Sequence, residues 1–351
     1  MDYFGRQRAK VTAFLDAYLR EKKRRFARIN DWGPDAMDKL GPFTQTGKML
    51  RSGLVALGSQ IQGSRPSRAA IQAGAAVELI QAALLIHDDI IDRDEVRRGR
   101  PSLHFQYGLQ GKRLDVSEPS HFGEGMGICL ADIAFFLAFE LLSTIPARLE
   151  VRAEILSLWS DELCLVGLAQ MQDLYYGQAF PPVKAADITR LYLYKTARYS
   201  FSLPLLTGAK LAGAPRRAQA GLDRLGDMLG ILFQLKDDDL GLYGSEKELG
   251  KSIGSDIREC KQTLLSHRLF QKARPADRKR LSTIYGNARI TPTMVGEVRA
   301  MAETYGVRRE LQAKMGRIRG QVLVRIEALP APEKWRRILR ELVDFSLDRR
   351  K

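Results

Sequence analysis

Cysteine is scarce in this chain of 351 residues: Cys129, Cys164 and Cys260 are the only three. They are scattered and share no metal-ligand spacing, so a reduced, cytoplasmic protein is the expectation. Long apolar runs are missing too. No uninterrupted stretch reaches the roughly 20 residues a membrane helix needs, so no transmembrane segment is expected. The opening Met1-Asp-Tyr-Phe-Gly-Arg6 lacks the basic-then-apolar pattern of a signal peptide. Strand alternation of useful length, internal repeats and low-complexity tracts are all absent. So are zinc-finger spacing, RNA-binding aromatic signatures and glycine-rich phosphate loops. The net charge of +15 suits nucleic acid, an anionic membrane surface or anionic substrates, and without those signatures nucleic-acid binding is the minor alternative. The dense run Glu21-Lys-Lys-Arg-Arg-Phe-Ala-Arg28 reads as a solvated basic face, which leaves anionic substrates to account for basic residues elsewhere.

What the chain does contain is helical periodicity almost throughout. Hydrophobic residues make up 45% and charged residues 28%, ample material for a core. Apolar spacing predicts helices over about 7–28, 48–62, 68–96, 128–142, 151–176, 186–211 and 218–240, and further helices to the end. The stretch 68–96 is apolar on most sides until His87, so it should run buried through the middle. Residues 108–127 hold five glycines and read as a flexible insertion. The fold class is all-α: one helical bundle around a central cavity, residues 1–351 forming a single domain.

Chemistry concentrates at two acidic clusters. The first is Asp88-Asp-Ile-Ile-Asp92, followed by Arg97-Arg-Gly-Arg-Pro101. On a helix, Asp88 and Asp92 share a face one turn apart. Carboxylates so placed repel unless a cation lies between them, and hard divalent ions with oxygen ligands suit them. Paired arginines can fork onto phosphate oxygens. The second cluster, Asp237-Asp-Asp239, again closes an apolar helical pattern. Either cluster alone would pass for a solvated helix end. Two, able to face one cavity, read as a diphosphate–metal site. Lys48 and Arg51 open a predicted helix, an awkward place for cations unless an anion binds there.

These motifs, with Gly47-Lys48-Met-Leu-Arg51, Lys195-Thr196, Gly250-Lys251 and Lys261-Gln-Thr263 in order along the chain, resemble those of the trans-isoprenyl diphosphate synthases of the polyprenyl synthetase family, geranylgeranyl diphosphate synthases in particular. The resemblance implies condensation of isopentenyl diphosphate with an allylic diphosphate, with Mg²⁺ as cofactor. It implies metal binding at Asp88, Asp92 and Asp237, supported by Asp89 and Asp238. Arg97, Lys195, Lys251 and Lys261 would grip the allylic diphosphate. Lys48, Arg51, Gln81 and Arg98 would hold isopentenyl diphosphate, so Arg97 and Arg98 would serve different substrates. Thr196 and Gln234 would face the carbocation together with Lys195. Gln170 and Asp173 would order that region. A homodimer is expected, as in the family.

Two departures stand out. Gln81 occupies a place where members usually carry His, and Gly241 replaces a frequent third Asp. Asp239 points elsewhere on its helix, and Gly241→Asp is expected to change little. Product length would be set by Ala83 and Leu84, one turn before Asp88, with Ile80 and Val77 deeper. Small residues there favour geranylgeranyl diphosphate or a longer product. The basic end, Arg349-Arg-Lys351, resembles a tail that folds over the isopentenyl site in some members. Two alternatives share parts of this pattern: a terpene cyclase, and a catalytically weak partner subunit. The first lacks its usual second motif here, and the second usually loses its aspartates.

Overall fold

The computed structural model describes residues 1–64, 67–179, 183–244 and 254–348. The described residues are almost entirely helical, with one two-residue hairpin. The chain divides into two compact units: Met1–Leu158 with Pro204–Gln219, and Trp159–Leu203 with Ala220–Lys351.

The first unit is built around the helix Arg68–Ile91 (α4). It packs on α1 (Asp2–Phe26), α2 (Trp32–Gln45), α3 (Leu50–Ile61) and α6 (Pro119–Ser143). Ser67 starts α4 as an N-cap, accepting the Ala70 amide at 3.1 Å. Alanines at 69, 70, 73, 75, 76, 82 and 83 are buried around it, so neighbours approach from every side, as the all-round apolar pattern foretold. The helix ends at Ile91, five residues short of the expected 96. The amide of Asp94 reaches back to the Asp89 carbonyl at 2.8 Å, and that of Arg93 to Ile90 at 3.2 Å. Arg93 sits at φ +54°. This is a Schellman stop, with arginine where glycine usually stands, which explains why sequence gave no signal for it. The hairpin Val96–Arg97 (β1) and Arg100–Pro101 (β2) follows.

Residues 108–127 are no flexible insertion. They form most of α5 (Leu103–Arg113) and the start of α6. Their glycines let these helices touch: a Cβ at Gly123 would lie 2.4 Å from the His104 carbonyl oxygen. Two helices, α4 and α6, are long and apolar enough to span a membrane, because scattered polar residues do not lower their average enough. The apolar window of α4 is 78% buried inside the protein, that of α6 only 44%.

The second unit takes α7 (Leu149–Ala179) from Trp159 onward, α8 (Ala185–Tyr192) and a π-helical stretch Leu193–Ser202. The helix α9 (Leu203–Leu211) leads out of it, and α10 (Arg216–Tyr243) returns from Ala220. Short helices α11 (Ser255–Arg258), α12 (Leu264–Lys272), α13 (Pro275–Ile284) and α14 (Pro292–Thr304) come next. The unit closes with α15 (Val307–Glu327) and α16 (Glu333–Asp348). Trp159, Leu225, Leu229, Leu281, Val322 and Leu339 are among its fully buried side chains. The π-helix interrupts what periodicity predicts as one α-helix over 186–211. Here α10 crosses at backbone range: a Cβ at Gly230 would lie 2.2 Å from the Ala197 Cα, and one at Gly226 2.5 Å from that of Ser202. Arg198 fastens the crossing, its Nε 2.9 Å from a Glu162 oxygen and its Nη1 3.3 Å from Asp227.

Candidate active site

In the first unit, Asp88 closes the last turn of α4 and Asp92 caps it. The Asp92 amide still bonds to the Asp88 carbonyl at 2.8 Å, so the two carboxylates occupy consecutive turns. Asp89 is fully buried. Its carboxylate accepts Arg97 Nε at 2.5 Å, while Arg97 Nη2 reaches Asp88 at 3.3 Å and Asp94 at 3.8 Å. Burial alone would lower the Arg97 pKa, but Asp89 and then Asp88 outweigh it and raise it. Arg97 is therefore a fixed cation at the base of the acidic cluster. Asp94, which sequence reading missed, is part of its seat.

The hairpin separates the two arginines. Arg98 and Gly99 both have positive φ, +54° and +72°, as the two central residues of a type I′ turn must. Arg97 turns toward the aspartates. Arg98 turns the other way: its Nη1 donates to the Thr46 carbonyl and lies 3.0 Å from where a Gly47 Cβ would stand. Burial, then Arg97 and Arg51, lower the Arg98 pKa, the mark of cations crowded together. Glu78 offsets them from within α4. It is buried, accepts the Ser52 amide at 3.0 Å, and its pKa is raised by burial against the opposing pull of Arg51. Nothing in its spacing marked it. Gln81, one turn on, is buried as well.

Lys48 lies before α3 rather than on it. Met49 is the N-cap, in left-handed backbone at φ +47°, and only Arg51 is helical. The helix starts later because of that left-handed residue, so Lys48 and Arg51 are not successive helical positions. Lys48 is exposed and Arg51 half-buried. Strained non-glycine backbone gathers at functional segments; among the described residues of this unit Met49, Arg93 and Arg98 lie in or beside the motifs, while Asp115, at φ +56°, does not.

In the second unit, Lys195 and Thr196 ride the π-helix, a form often found at functional sites. The Lys195 ammonium is ion-paired with Asp173 of α7. Thr196 Oγ1 donates to Gln234 Oε1 at 2.9 Å, and Gln234 Nε2 donates to Asp238 Oδ1 at 3.0 Å. The other Asp238 oxygen accepts the Tyr192 hydroxyl, which itself accepts the Leu264 amide at 2.8 Å. Five residues thus form one chain of hydrogen bonds. Tyr192, unmarked in the sequence, is its hinge. Burial pushes Asp238 well above the usual carboxylate range, although Tyr192 and Gln234 pull it down.

Asp237 is half-buried one residue earlier, and Gln170 is half-buried on α7. Asp239 is spoken for: Arg308 Nε lies 3.1 Å and Lys236 Nζ 3.4 Å from it. A Cβ at Gly241 would come within 2.6 Å of Asp256 Oδ2, so the space a third aspartate would enter is already held by another carboxylate. Lys261 pairs with Glu259 at 2.7 Å. Lys251 and the tail Arg349–Lys351 lie outside the described residues. On α4, Ala83, Ile80 and Val77 are fully buried, while Leu84 is half-exposed.

The chain matches the polyprenyl synthetase family over residues 38–303. It belongs to that family. A short chain isoprenyl diphosphate synthase of Methanothermobacter thermautotrophicus is 30% identical over 97% of each chain. A geranylgeranyl diphosphate synthase of Sulfolobus acidocaldarius is 32% identical over 70% of this chain and 69% of its own. Among solved structures, a geranylgeranyl pyrophosphate synthase of Corynebacterium glutamicum, complexed with isoprenyl diphosphate and magnesium, superposes with a TM-score of 0.91. Its identity is 28%, covering 99% of this chain and 98% of that one. This polyprenyl synthetase is thus an all-α trans-prenyltransferase, with isopentenyl diphosphate and an allylic diphosphate as its substrates. Its acidic clusters suit the divalent metal on which the family's chemistry depends.

Proposed function

We propose that this polyprenyl synthetase makes geranylgeranyl diphosphate or a longer homologue with Mg²⁺, residues 1–351 working as one catalytic domain. The observation that carries the reading is the hairpin turn that sends Arg97 to the aspartates and Arg98 to the Thr46–Gly47 segment. One cationic pair thereby serves two diphosphates, one beside metal ligands and one away from them. The donor set fits a hard cation: Asp88 and Asp92 offer carboxylate oxygens from successive turns. Asp237 supplies a further carboxylate, with Asp89 and Asp238 behind the ligands. Bound Mg²⁺ supplies positive charge where diphosphate leaves.

Each side chain then has a task. Arg97, seated by Asp89 and Asp94, meets the allylic diphosphate without having to be ordered first. Lys195, Lys251 and Lys261 add charge to the same group. Lys48, Arg51, Gln81 and Arg98 take isopentenyl diphosphate, and Glu78 keeps the two arginines aimed. The allylic C–O bond breaks with its electron pair going to diphosphate. The double bond of isopentenyl diphosphate attacks the carbon left behind, and the cation so formed loses a proton to the diphosphate just released. Thr196 commits its own proton to Gln234, so its oxygen lone pairs are left as an uncharged acceptor beside the allylic cation. Ala83, Leu84 and Ile80 limit the growing tail.

The enzyme is expected to be a cytoplasmic homodimer without a membrane span. Uncovered apolar stripes support the pairing: Ile128 and Phe136 on α6, and Leu168, Met171 and Tyr175 on α7. The test is incubation with labelled isopentenyl diphosphate, farnesyl diphosphate and Mg²⁺, followed by chromatography of intact and dephosphorylated products. A C20 or longer diphosphate is expected. A cyclic hydrocarbon, or no elongation at all, would refute the proposal.

A further inference from the structure

The second unit carries a cleft of about 590 Å³ where Val183–Ala185 meets α12 and the first turns of α15. Its volume lies in the ~300–1,000 Å³ range of small-molecule sites. The floor is apolar, since Leu264, Leu265, Val307 and Leu311 line it and are all buried. The rim is cationic. Lys184, Lys314 and Arg317 line it, and among the described residues none of them has a carboxylate partner. Arg268 and one carboxylate, Glu310, line the cleft as well, and Glu310 is already shared by Arg268 and Lys272. Burial, and then Arg317, hold the Lys314 pKa below the ordinary lysine value, as befits a cation without an anion beside it.

An apolar trough edged by uncompensated cations suits a molecule with one greasy tail and an anionic head. We infer that this cleft binds a prenyl diphosphate, its tail on Leu264, Leu265, Val307 and Leu311 and its head on Lys184, Lys314 and Arg317. The inference rests on the synthase reading for the source of the ligand, and adds a second site next to the Lys261–Thr263 motif but lined by none of the residues assigned to substrate. The floor also touches the site's hydrogen-bond chain. Leu264 donates its amide to Tyr192, which holds Asp238. A tail lying on Leu264 therefore bears on the end of that chain, and occupancy lowers turnover without competing for substrate.

The experiment titrates geranylgeranyl diphosphate, geranylgeraniol and inorganic diphosphate into the full-length protein by equilibrium dialysis. The double variant Lys314→Glu/Arg317→Glu is compared, with Lys184→Glu as a second variant on a separate element. Two molecules of geranylgeranyl diphosphate per chain are expected in the wild type and one in the variants. The alcohol and inorganic diphosphate should each bind the cleft at least about tenfold more weakly. In steady-state assays with allylic substrate varied, added product should show a noncompetitive component that the variants lose, with unchanged turnover in its absence. Equal stoichiometry in wild type and variants, or an unaltered inhibition pattern, overturns the inference. Geranylgeraniol binding the cleft as well as its diphosphate would remove the role of the cations, and inorganic diphosphate doing so would remove that of the floor. The dialysis needs no turnover, so an inactive protein would refute the synthase reading while still testing the cleft.

Discussion

Tyr192→Phe tests the hydrogen-bond chain of the second unit at its hinge. The substitution removes one oxygen and leaves the ring in place. Two partners lose it at once. The Leu264 amide, 2.8 Å away, is left buried without its acceptor, which costs about 1–3 kcal/mol. Asp238 loses a hydrogen bond to a buried carboxyl group, about 1.5–3 kcal/mol if the group is charged. The two losses share one oxygen and do not simply add, so a destabilisation of about 3–5 kcal/mol is expected, at the upper end for a single substitution. Denaturant unfolding of wild type and variant measures it. Turnover should fall as well, because Gln234 and Thr196 depend on Asp238 for their orientation. A loss of stability below about 1 kcal/mol would mean that Tyr192 is not holding the chain, and the argument for a fixed Thr196 would go with it.

The other predictions are briefer. Asp88→Ala or Asp92→Ala should each cut turnover by on the order of a hundredfold or more while the protein stays folded; near-normal rates in either variant would remove the metal assignment. Leu84→Phe, at the half-exposed position, should shorten the main product toward farnesyl diphosphate. Ala83→Phe, at a fully buried one, should instead cost about 1–3 kcal/mol of stability first, and product chromatography with thermal unfolding separates the two effects. Gly241→Asp, expected from sequence alone to be silent, should destabilise by about 1–3 kcal/mol, because it sets a second carboxylate against that of Asp256; an unchanged unfolding midpoint would refute that. Asp238 sets a pH dependence. Its folded pKa is raised, chiefly by burial, so the native state holds the proton more tightly than the unfolded chain. Its contribution is full below the unfolded value near ~3.9 and is lost as pH rises through the raised one. Asp238→Asn should flatten that fall; parallel stability–pH curves for the two proteins would sink it.

Much of this protein is legible in its sequence, for reasons that are local. The helical period reports which face of each segment is buried, and α4 reads as central because it is apolar all round. Spacing of i and i+4 puts Asp88 and Asp92 on successive turns whatever surrounds them. Order along the chain, from Lys48 through Asp88 and Lys195 to Asp237, carries the family. What periodicity could not show is where a backbone leaves the regular path under tertiary load. Arg93 takes the left-handed place that glycine would have announced, so α4 stops at Ile91. Met49 does the same ahead of α3 and leaves Lys48 outside it. The π-helix at Leu193–Ser202 exists where Gly226 and Gly230 let α10 press on its backbone, and no local pattern encodes a crossing between residues 24 and 33 positions apart. The glycines of 108–127 look like flexibility in sequence and are contact surface in space.

The sequence by itself determined the fold class, the family and the residues that carry charge, since each follows from composition, period and order. Tertiary structure decided which charges are held and by what. Glu78 behind Arg51 and Arg98, Tyr192 under Asp238 and Asp256 beside Gly241 are all remote in sequence from at least one partner. A buried charge or hydroxyl is fixed by whichever polar atom reaches it first across a packed interface, and such partners come together only when helices far apart in the chain have docked.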